Sequence, residues 1–514
     1  MEGTVSGRGR VSMYRGIFTG LARPEESFTG LTRHAKPNTN ASVLAANTLF
    51  IATTARGSTG SFTVLPLHRT GLIAANEPHI CTNEVSNGAP PSPVRDLAFN
   101  PFNEQVVASA GRAISLWKIP KKGLVADLVD PLLTLQDACA GELSSTKLIR
   151  FHPTTPNILV SASIDNSFRL WDVDACKALL KTSFGMVTNV VWNSLGAEFL
   201  VSSSVTDVKL CDPRQKQFDG VNFPGTARHT GFFVTGDSST FVTVELRYSN
   251  IIKLWDSRSV GTELGSLKLQ AESSHLHLPL YDRDGKLLYI PDKSDRKLSV
   301  FELSTQEPLI RALRTSQAST AVKAFTMLPR RALKVADCEV GRILRLTAEG
   351  IQPMSFYVPR IHEAFQEDLY PPTFCGQPSQ TAKQWWDEHT TNIPVVDSLL
   401  GEYQSTLGAT RVDEVNLKAL ESGAYTGDEF MGDDADDGKA GSLRGSIFED
   451  EEVPPKIAFG TPMLKFGKNG ATREKRVWIE DERHICWDGA LISPKWGKKC
   501  SGTHAIFSLF IQYL

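Results

Sequence analysis

The feature that most constrains the fold is the stretch Leu148–Asp174, which carries a complete pattern of three short strands and two turns. A His-Pro pair separates the first two strands. Asp165 begins the tight turn before the third, because aspartate accepts local backbone hydrogen bonds. The third strand ends in Trp171 and Asp172, where the indole can bury a large apolar area and the carboxylate can accept turn hydrogen bonds. This is the WD-repeat pattern, which is typical of β-propellers and indicates a binding scaffold rather than an enzyme.

The same pattern recurs along the chain at the period of about 40 to 45 residues that such repeats have, with one longer step. The visible repeat ends are Trp117, Trp171–Asp172, Cys211–Asp212, Trp255–Asp256 and Phe301–Glu302. Some residues are expected to have a structural rather than a binding role, because the repeat itself requires them. They are Trp117, Asp165, Trp171, Asp172, Trp255 and Asp256. The second strands are rich in serine, as in Val107–Ala110, Val160–Ser163 and Val201–Ser204. We expect these small side chains to crowd towards the axis of an all-β propeller, in which radial closure protects the strand edges.

Composition and charge exclude several classes of function. The chain has 514 residues, of which 22% are charged, and its formal net charge is -2 at pH 7. That balance gives no overall attraction to nucleic acid or to an anionic membrane, so electrostatic binding must come from local patches. The cysteines form no CxxC pair, and the chain shows neither a secretory signal nor an apolar run of about 18 residues that could span a membrane. We therefore expect a reduced, cytoplasmic protein that binds no nucleic acid.

No sequence motif supports catalysis or a cofactor. The chain has no P-loop, no GxSxG and no HExxH, and the glycine-rich stretch Gly57–Gly60 lacks the Lys-Ser/Thr pair of a phosphate site. His275 and His277 lie in a strand-like segment, where they indicate a polar face rather than a metal site. We expect no enzyme activity, no cofactor and no metal. A propeller hydrolase is a minor alternative, since it would need carboxylates or histidines clustered around the central channel.

Further motifs, most of them outside the repeats, resemble those of the coronins, a family of actin-regulating WD-repeat proteins. The motifs are Tyr14–Phe18, Phe62–Leu67 with Thr70–Gly71, Met327–Leu333, Val358–Arg360 and Phe365–Pro372. The resemblance covers residues from about Met13 to about Tyr403. It implies a seven-bladed propeller with a C-terminal extension packed along its underside. The two blades without a visible repeat end then come from the stretches 43–67 and 321–356.

The resemblance and the composition together predict five regions. They are an N-terminal arm (1–40), the propeller (41–357), an extension docked on the propeller (358–403), an acidic disordered linker (404–456) and a partial module (457–514). Trp385 and Trp386 favour docking of the extension, because a free polar linker would hardly carry two indoles. The linker assignment depends on Gly427–Glu452, which contains ten acidic residues and only two basic ones. No heptad repeat follows Tyr403, so we do not expect oligomerisation through a coiled coil.

Actin is acidic at its surface, so a filament-binding propeller should expose basic side chains. Similarity to the coronins implies an actin-contacting arginine in the N-terminal arm, and the match falls on Thr32, or on Arg33 after a shift of one residue. Arg15 in the same arm is a further candidate, as are the pairs Lys121–Lys122 and Arg330–Arg331, which lie next to proline and so in loops. The predicted function is a scaffold of the cortical actin cytoskeleton. It binds filaments, regulates their turnover and acts with the branch-nucleating actin-related protein complex.

The segment Gly460–Gly489 reads as three strands joined by turns, and it resembles the start of a pleckstrin-homology domain. The resemblance implies that basic residues around the first hairpin could hold inositol phosphates. The candidates are Lys465, Lys468, Arg473, Lys475 and Arg476. The main alternative function is therefore a propeller adaptor in vesicle traffic, which a phosphoinositide-binding module would bring to membranes.

Overall fold

The computed structural model describes residues 12–404 and the strands between 461 and 492. The gaps in the first range are 22–23, 32–42, 55–59, 75, 83–92, 136–144, 216–219, 227, 236–238, 246–249, 270–277, 293–295, 318–321 and 361–363. The predicted acidic linker, beyond its first residue, therefore lies outside the described residues. The chain divides into two compact units, Met1–Tyr425 and Thr426–Leu514, and each is considered by itself.

The first unit is a seven-bladed β-propeller, which confirms the predicted fold class. Blades 1 to 6 are four-stranded antiparallel sheets whose strands, a to d, follow in chain order. Their strands are Leu44–Ala46, Phe50–Thr54, Ser61–Pro66 and His79–Cys81 (blade 1); Asp96–Asn100, Asn103–Ala110, Ile114–Lys118 and Leu133–Leu135 (blade 2); and Thr146–Phe151, Ile158–Ser163, Ser167–Asp172 and Lys177–Ser183 (blade 3). They continue as Val187–Trp192, Phe199–Ser203, Val208–Cys211 and Val221–Phe223 (blade 4); His229–Phe233, Thr240–Glu245, Ile251–Asp256 and Glu263–Lys268 (blade 5); and Leu280–Asp282, Leu287–Pro291, Lys297–Leu303 and Ile310–Gln317 (blade 6).

The direction of the strands defines two faces of the propeller. Strand a of each blade lies innermost. The a strands of blades 1 to 4 each contact the a strand of the next blade, whereas outer strands such as Lys177–Ser183 are exposed or partly exposed. Because consecutive strands are antiparallel, the a–b and c–d connections leave at one face, which we call the lower face. The b–c connections and the links to the next blade leave at the opposite, upper face.

Blade 7 combines strands from both ends of the propeller sequence. Its inner strands are Ala324–Met327, Glu339–Leu346 and Gly350–Tyr357, its outer strand is formed by Phe18–Leu21 and Phe28–Thr29, and Gly71–Leu72 adds in parallel to the latter. Three short 3-10 helices, Pro24–Glu26, Arg330–Ala332 and Val335–Asp337, lie in the connections. Part of the predicted N-terminal arm is thus a strand of the closing blade. It pairs the backbone groups that an open edge at Gly350–Tyr357 would leave exposed.

The tryptophans of the repeats share one hydrogen-bonding arrangement. The indole Nε1 donates to a hydroxyl on the preceding strand in three blades: Trp117 to Ser109 (2.9 Å), Trp171 to Ser161 (2.8 Å) and Trp255 to Thr243 (2.8 Å). All three indoles are buried, so each N–H needs an internal acceptor. Two serines of the second strands, Ser109 and Ser161, therefore have a specific role. Each accepts the hydrogen bond of a buried indole N–H that would otherwise have no partner.

The extension after blade 7 folds onto the lower face. It contains a two-stranded sheet, Thr373–Phe374 with Val396–Asp397, and a short α-helix, Ala382–Trp386. The helix begins at a capping box, in which Thr381 and Gln384 each satisfy a backbone N–H of the other. Phe374 packs edge-on against Phe102 in the a–b connection of blade 2, with ring centroids 5.7 Å apart.

The described residues of the second unit form a four-stranded antiparallel sheet. Its strands are Thr461–Phe466, Thr472–Asp481, His484–Trp487 and Ala490–Ile492. The sheet has the three strands expected from the sequence and one more. Among the described residues of the whole chain, no helix is long and apolar enough to cross a membrane.

Candidate binding surfaces

The structure separates the predicted actin-binding candidates. Arg15, Lys121 and Lys122 are exposed. The two lysines lie in the c–d connection of blade 2, at the lower face, and Arg15 precedes the outer strand Phe18–Leu21 of blade 7. Arg331 is partly exposed, and its Nη2 lies 2.8 Å from Oε1 of Glu402 in the extension. The actin-binding candidates Thr32 and Arg33 lie outside the described residues. The same is true of the lipid-binding candidate Lys468 and of the histidine pair His275 and His277.

Arg330 differs from its neighbour because it is buried, with only 5% of its surface exposed. Its Nε and Nη2 donate to Oδ2 of Asp282 in blade 6 (2.9 and 2.6 Å), and its Nη1 donates to the Leu369 carbonyl of the extension (2.8 Å). Beside this pair, the Tyr14 hydroxyl donates to the Gly285 carbonyl at 2.8 Å. The prediction of an accessible loop charge was wrong for Arg330, because the guanidinium is used to join blade 6, blade 7 and the extension.

A second buried cluster holds the helix of the extension against blades 3 and 4. Trp385 is fully buried, and its Nε1 donates to the Gly196 carbonyl at 3.0 Å. The same carbonyl lies 2.8 Å from Nε2 of His152, whose ring packs edge-on against Trp385. Arg214 lies over the Trp385 ring and donates to the Thr390 carbonyl at 3.2 Å. Trp385 was correctly expected to pack on the propeller, whereas the parts of His152 and Arg214 were not foreseen.

The protonation state of His152 follows from its hydrogen bonds. Its Nδ1 accepts from the backbone N–H groups of Thr154 (3.2 Å) and Thr155 (3.0 Å), so the proton is on Nε2, which donates to Gly196. Burial lowers the pKa of His152 to about 3, against a backbone hydrogen bond that raises it. The folded protein therefore holds this ring neutral.

We expect acid to destabilise the propeller through His152. Its pKa is depressed in the folded state, so the unfolded chain binds the proton more readily and stability falls as pH drops from about 6.5 towards 3. Between pH 7.5 and pH 5 the loss should be about 2 kcal/mol. Urea unfolding of the wild type and of His152→Gln at both pH values measures it. An equal loss in the two proteins would contradict the assignment.

The extension thus covers much of the lower face. It contacts blade 2 through Phe374, blades 3 and 4 through Trp385, blade 6 through the hydrogen bond from Thr373 to Asp284, and blade 7 through the Leu369 carbonyl. Among the described residues of the first unit, these contacts of the extension leave uncovered the upper face, the outer rim and the edge of the lower face, where Lys121 and Lys122 lie. In the described part of the chain, no three His, Cys, Asp or Glu side chains come together as a metal site.

Two family models match the chain. One, described as a domain of unknown function, matches residues 8–72, and the other, described as a type of WD40 repeat, matches residues 351–393. The two matches contain the strands that close blade 7 from either side. Both therefore fall on the junction where the ends of the propeller sequence meet.

Known proteins resemble the chain across the propeller and the extension. Coronin-2A from Bos taurus is 27% identical over 390 residues, which cover 73% of this chain and 72% of that protein. The crystal structure of the WD40 domain of Toxoplasma gondii coronin superposes with a TM-score of 0.66 at 22% identity, covering 76% of this chain and 98% of that structure. Coronin-A from Dictyostelium discoideum is 31% identical over 412 residues, which cover 79% of this chain and 89% of the relative. The chain therefore belongs to the coronin family.

Proposed function

We propose that this protein binds actin filaments through its propeller and regulates the organisation of the cytoskeleton and the turnover of filaments. Membership of the coronin family over the propeller and the extension together is the observation that carries the proposal. The accessible lysines at the edge of the lower face support it, because a filament is acidic at its surface. The protein acts as a scaffold in the cytoplasm, close to the cell cortex, and neither catalysis nor a cofactor is part of this role.

The finer partners follow from the same proposal. A scaffold that changes filament turnover acts on the machinery of filament growth, and the branch-nucleating actin-related protein complex is the partner that we propose. Arg33 remains the proposed contact in the N-terminal segment. Two residues before it in the sequence, Leu31 is buried between blades 1 and 7.

A membrane adaptor is the second candidate, and the sheet of the second unit favours it. In the hairpin of its first two strands, Lys465 lies opposite Arg473, and Lys475 lies opposite Met463. Arg476 lies in the same hairpin, so four of the five basic candidates belong to these two paired strands. Such an arrangement suits the phosphates of an inositol lipid.

We expect the full-length protein to sediment with actin filaments and to do so less at higher salt. Exposed charge contacts weaken as the Debye length falls from about 30 Å at 0.01 M to about 8 Å at 0.15 M ionic strength. Arg33→Glu should weaken binding by about ten-fold, since it replaces attraction to an acidic surface by repulsion. The matched control is Lys268→Glu, an exposed charge reversal on the outer strand of blade 5.

Two outcomes would redirect the assignment. Unchanged sedimentation of Arg33→Glu would remove the N-terminal contact and leave the lysines of the lower edge. Failure of the wild type to sediment at either salt, together with binding to vesicles that contain phosphoinositides, would replace filament binding by the membrane-adaptor function.

A further inference from the structure

The connection between strands c and d of blade 2 is unusually apolar on its outer side. We call this connection, residues 119–132, the strap. Leu124 and Leu128 point inward and pack with the core between blades 1 and 2. Val125, Val129 and Leu132 instead face solvent, with 91%, 52% and 59% of their surfaces exposed. Large apolar side chains that are exposed together in this way mark interaction sites.

The strap is held in place along its length. Leu128 pairs with the outer strand of blade 1, donating to the His79 carbonyl and accepting from Cys81, each at 2.9 Å. Gly123 has a φ of +92°, and a Cβ atom at this position would lie 2.9 Å from Cγ of Pro66, so only glycine allows the close approach of strap and blade 1. The exposed valines are therefore fixed before any partner arrives, which lowers the entropy that binding would cost.

Basic and acidic residues are separated along the strap. Lys121 and Lys122 are exposed at its start, and exposed Lys118 precedes them at the end of strand c. The acidic residues of the strap come later in it. The carboxylate of Asp127 accepts from the backbone N–H of His79 at 2.8 Å, and Asp130 is exposed near the far end. A partner that fits this surface presents acidic groups beside an apolar patch.

We propose that the strap is the surface through which the propeller contacts the actin filament, with the lysines meeting acidic groups and the valines an apolar patch. The inference rests on the proposed filament binding and adds where it occurs. Charge complementarity supports this partner, because the lysines at the start of the strap match an acidic filament. The extension contacts blades 3, 4, 6 and 7 and reaches blade 2 at Phe102, and none of these contacts involves the outward residues of the strap.

Sedimentation of full-length variants with actin filaments tests the strap. The double variant Lys121→Glu/Lys122→Glu should weaken binding by about ten-fold and flatten its dependence on salt. The double variant Val125→Ser/Val129→Ser should weaken binding by about five-fold and leave the salt dependence unchanged, because it removes only apolar contact. All four side chains are exposed, so both variants should keep the melting temperature of the wild type.

Matched controls carry the same changes elsewhere. Lys177→Glu/Lys268→Glu reverses two exposed charges on the outer strands of blades 3 and 5, and Ile164→Ser/Val205→Ser removes two exposed apolar side chains from the upper face. We expect both controls to bind like the wild type. Wild-type binding by the two strap variants would overturn the strap proposal alone, as would a loss confined to the upper-face control. Absence of wild-type sedimentation would overturn filament binding and the strap proposal together.

Discussion

Replacement of Arg330 by alanine is expected to lower the free energy of unfolding by about 3–5 kcal/mol, the typical cost of removing one partner of a buried ion pair. The variant leaves the Asp282 carboxylate buried without its cation and the Leu369 carbonyl without its donor. It also removes a hydrogen-bonded link between blade 6, blade 7 and the extension. Urea unfolding followed by tryptophan fluorescence measures the change.

The neighbouring arginine provides a matched control for this prediction. Arg331 pairs with Glu402 at a partly exposed site, where an ion pair contributes about 0–1 kcal/mol. Arg331→Ala should therefore unfold almost like the wild type. Similar losses of unfolding free energy in the two variants would contradict the prediction. They would mean that the buried ion pair between Arg330 and Asp282 does not stabilise the protein more than the partly exposed pair of Arg331.

Replacement of Trp385 by alanine should cost about 3–5 kcal/mol, the usual range for removing a buried tryptophan. Its indole fills the cluster formed by blades 3 and 4, and its N–H is bonded to the Gly196 carbonyl. The helix Ala382–Trp386 has few other buried groups, so we expect the extension to detach before the propeller unfolds. Limited proteolysis should then cut the chain between Tyr357 and Tyr403 much faster than in the wild type.

Trp386 is the control for the extension, because it is only partly buried against the same cluster. Trp386→Ala should cost less than Trp385→Ala and should leave the extension resistant to protease. If the two variants were cut at the same rate, the hydrogen bond and the burial of Trp385 would not be what holds the extension in place.

Local patterns allowed the blades to be predicted, because each WD repeat is a contiguous unit. Trp117, Trp171 and Trp255 are buried at the ends of their strands, as the pattern requires. The role of the preceding hydroxyls was missed, although a signal exists. The acceptor precedes the indole by 8, 10 and 12 residues in the three blades, on the adjacent strand. A hydroxyl at that separation predicts an internal acceptor for the tryptophan.

Contacts between distant segments could not be predicted in this way. Arg330 and Arg331 have the same local sequence, yet only Arg330 meets an acid 48 residues away and is buried. The local sequence around His152 indicates only the start of a turn. Its contact with Trp385 joins segments that are distant in the sequence, so it is visible only in the folded structure. Only part of the strap could be predicted from the sequence. The pair Lys121–Lys122 was recognisable as a candidate binding site, whereas nothing in the sequence showed that the valines are exposed.

Closure of blade 7 has a consequence for the way the chain is made. The strand Phe18–Leu21 is synthesised before the six complete blades, and its partner Gly350–Tyr357 is synthesised after them. Until then the first strand has an unpaired edge, and pairing across so large a sequence separation is slow. The nascent propeller is therefore an open ring for most of its synthesis. During that time the edge of Phe18–Leu21 is open to pairing with other chains, and this exposure ends when Gly350–Tyr357 emerges and pairs with it.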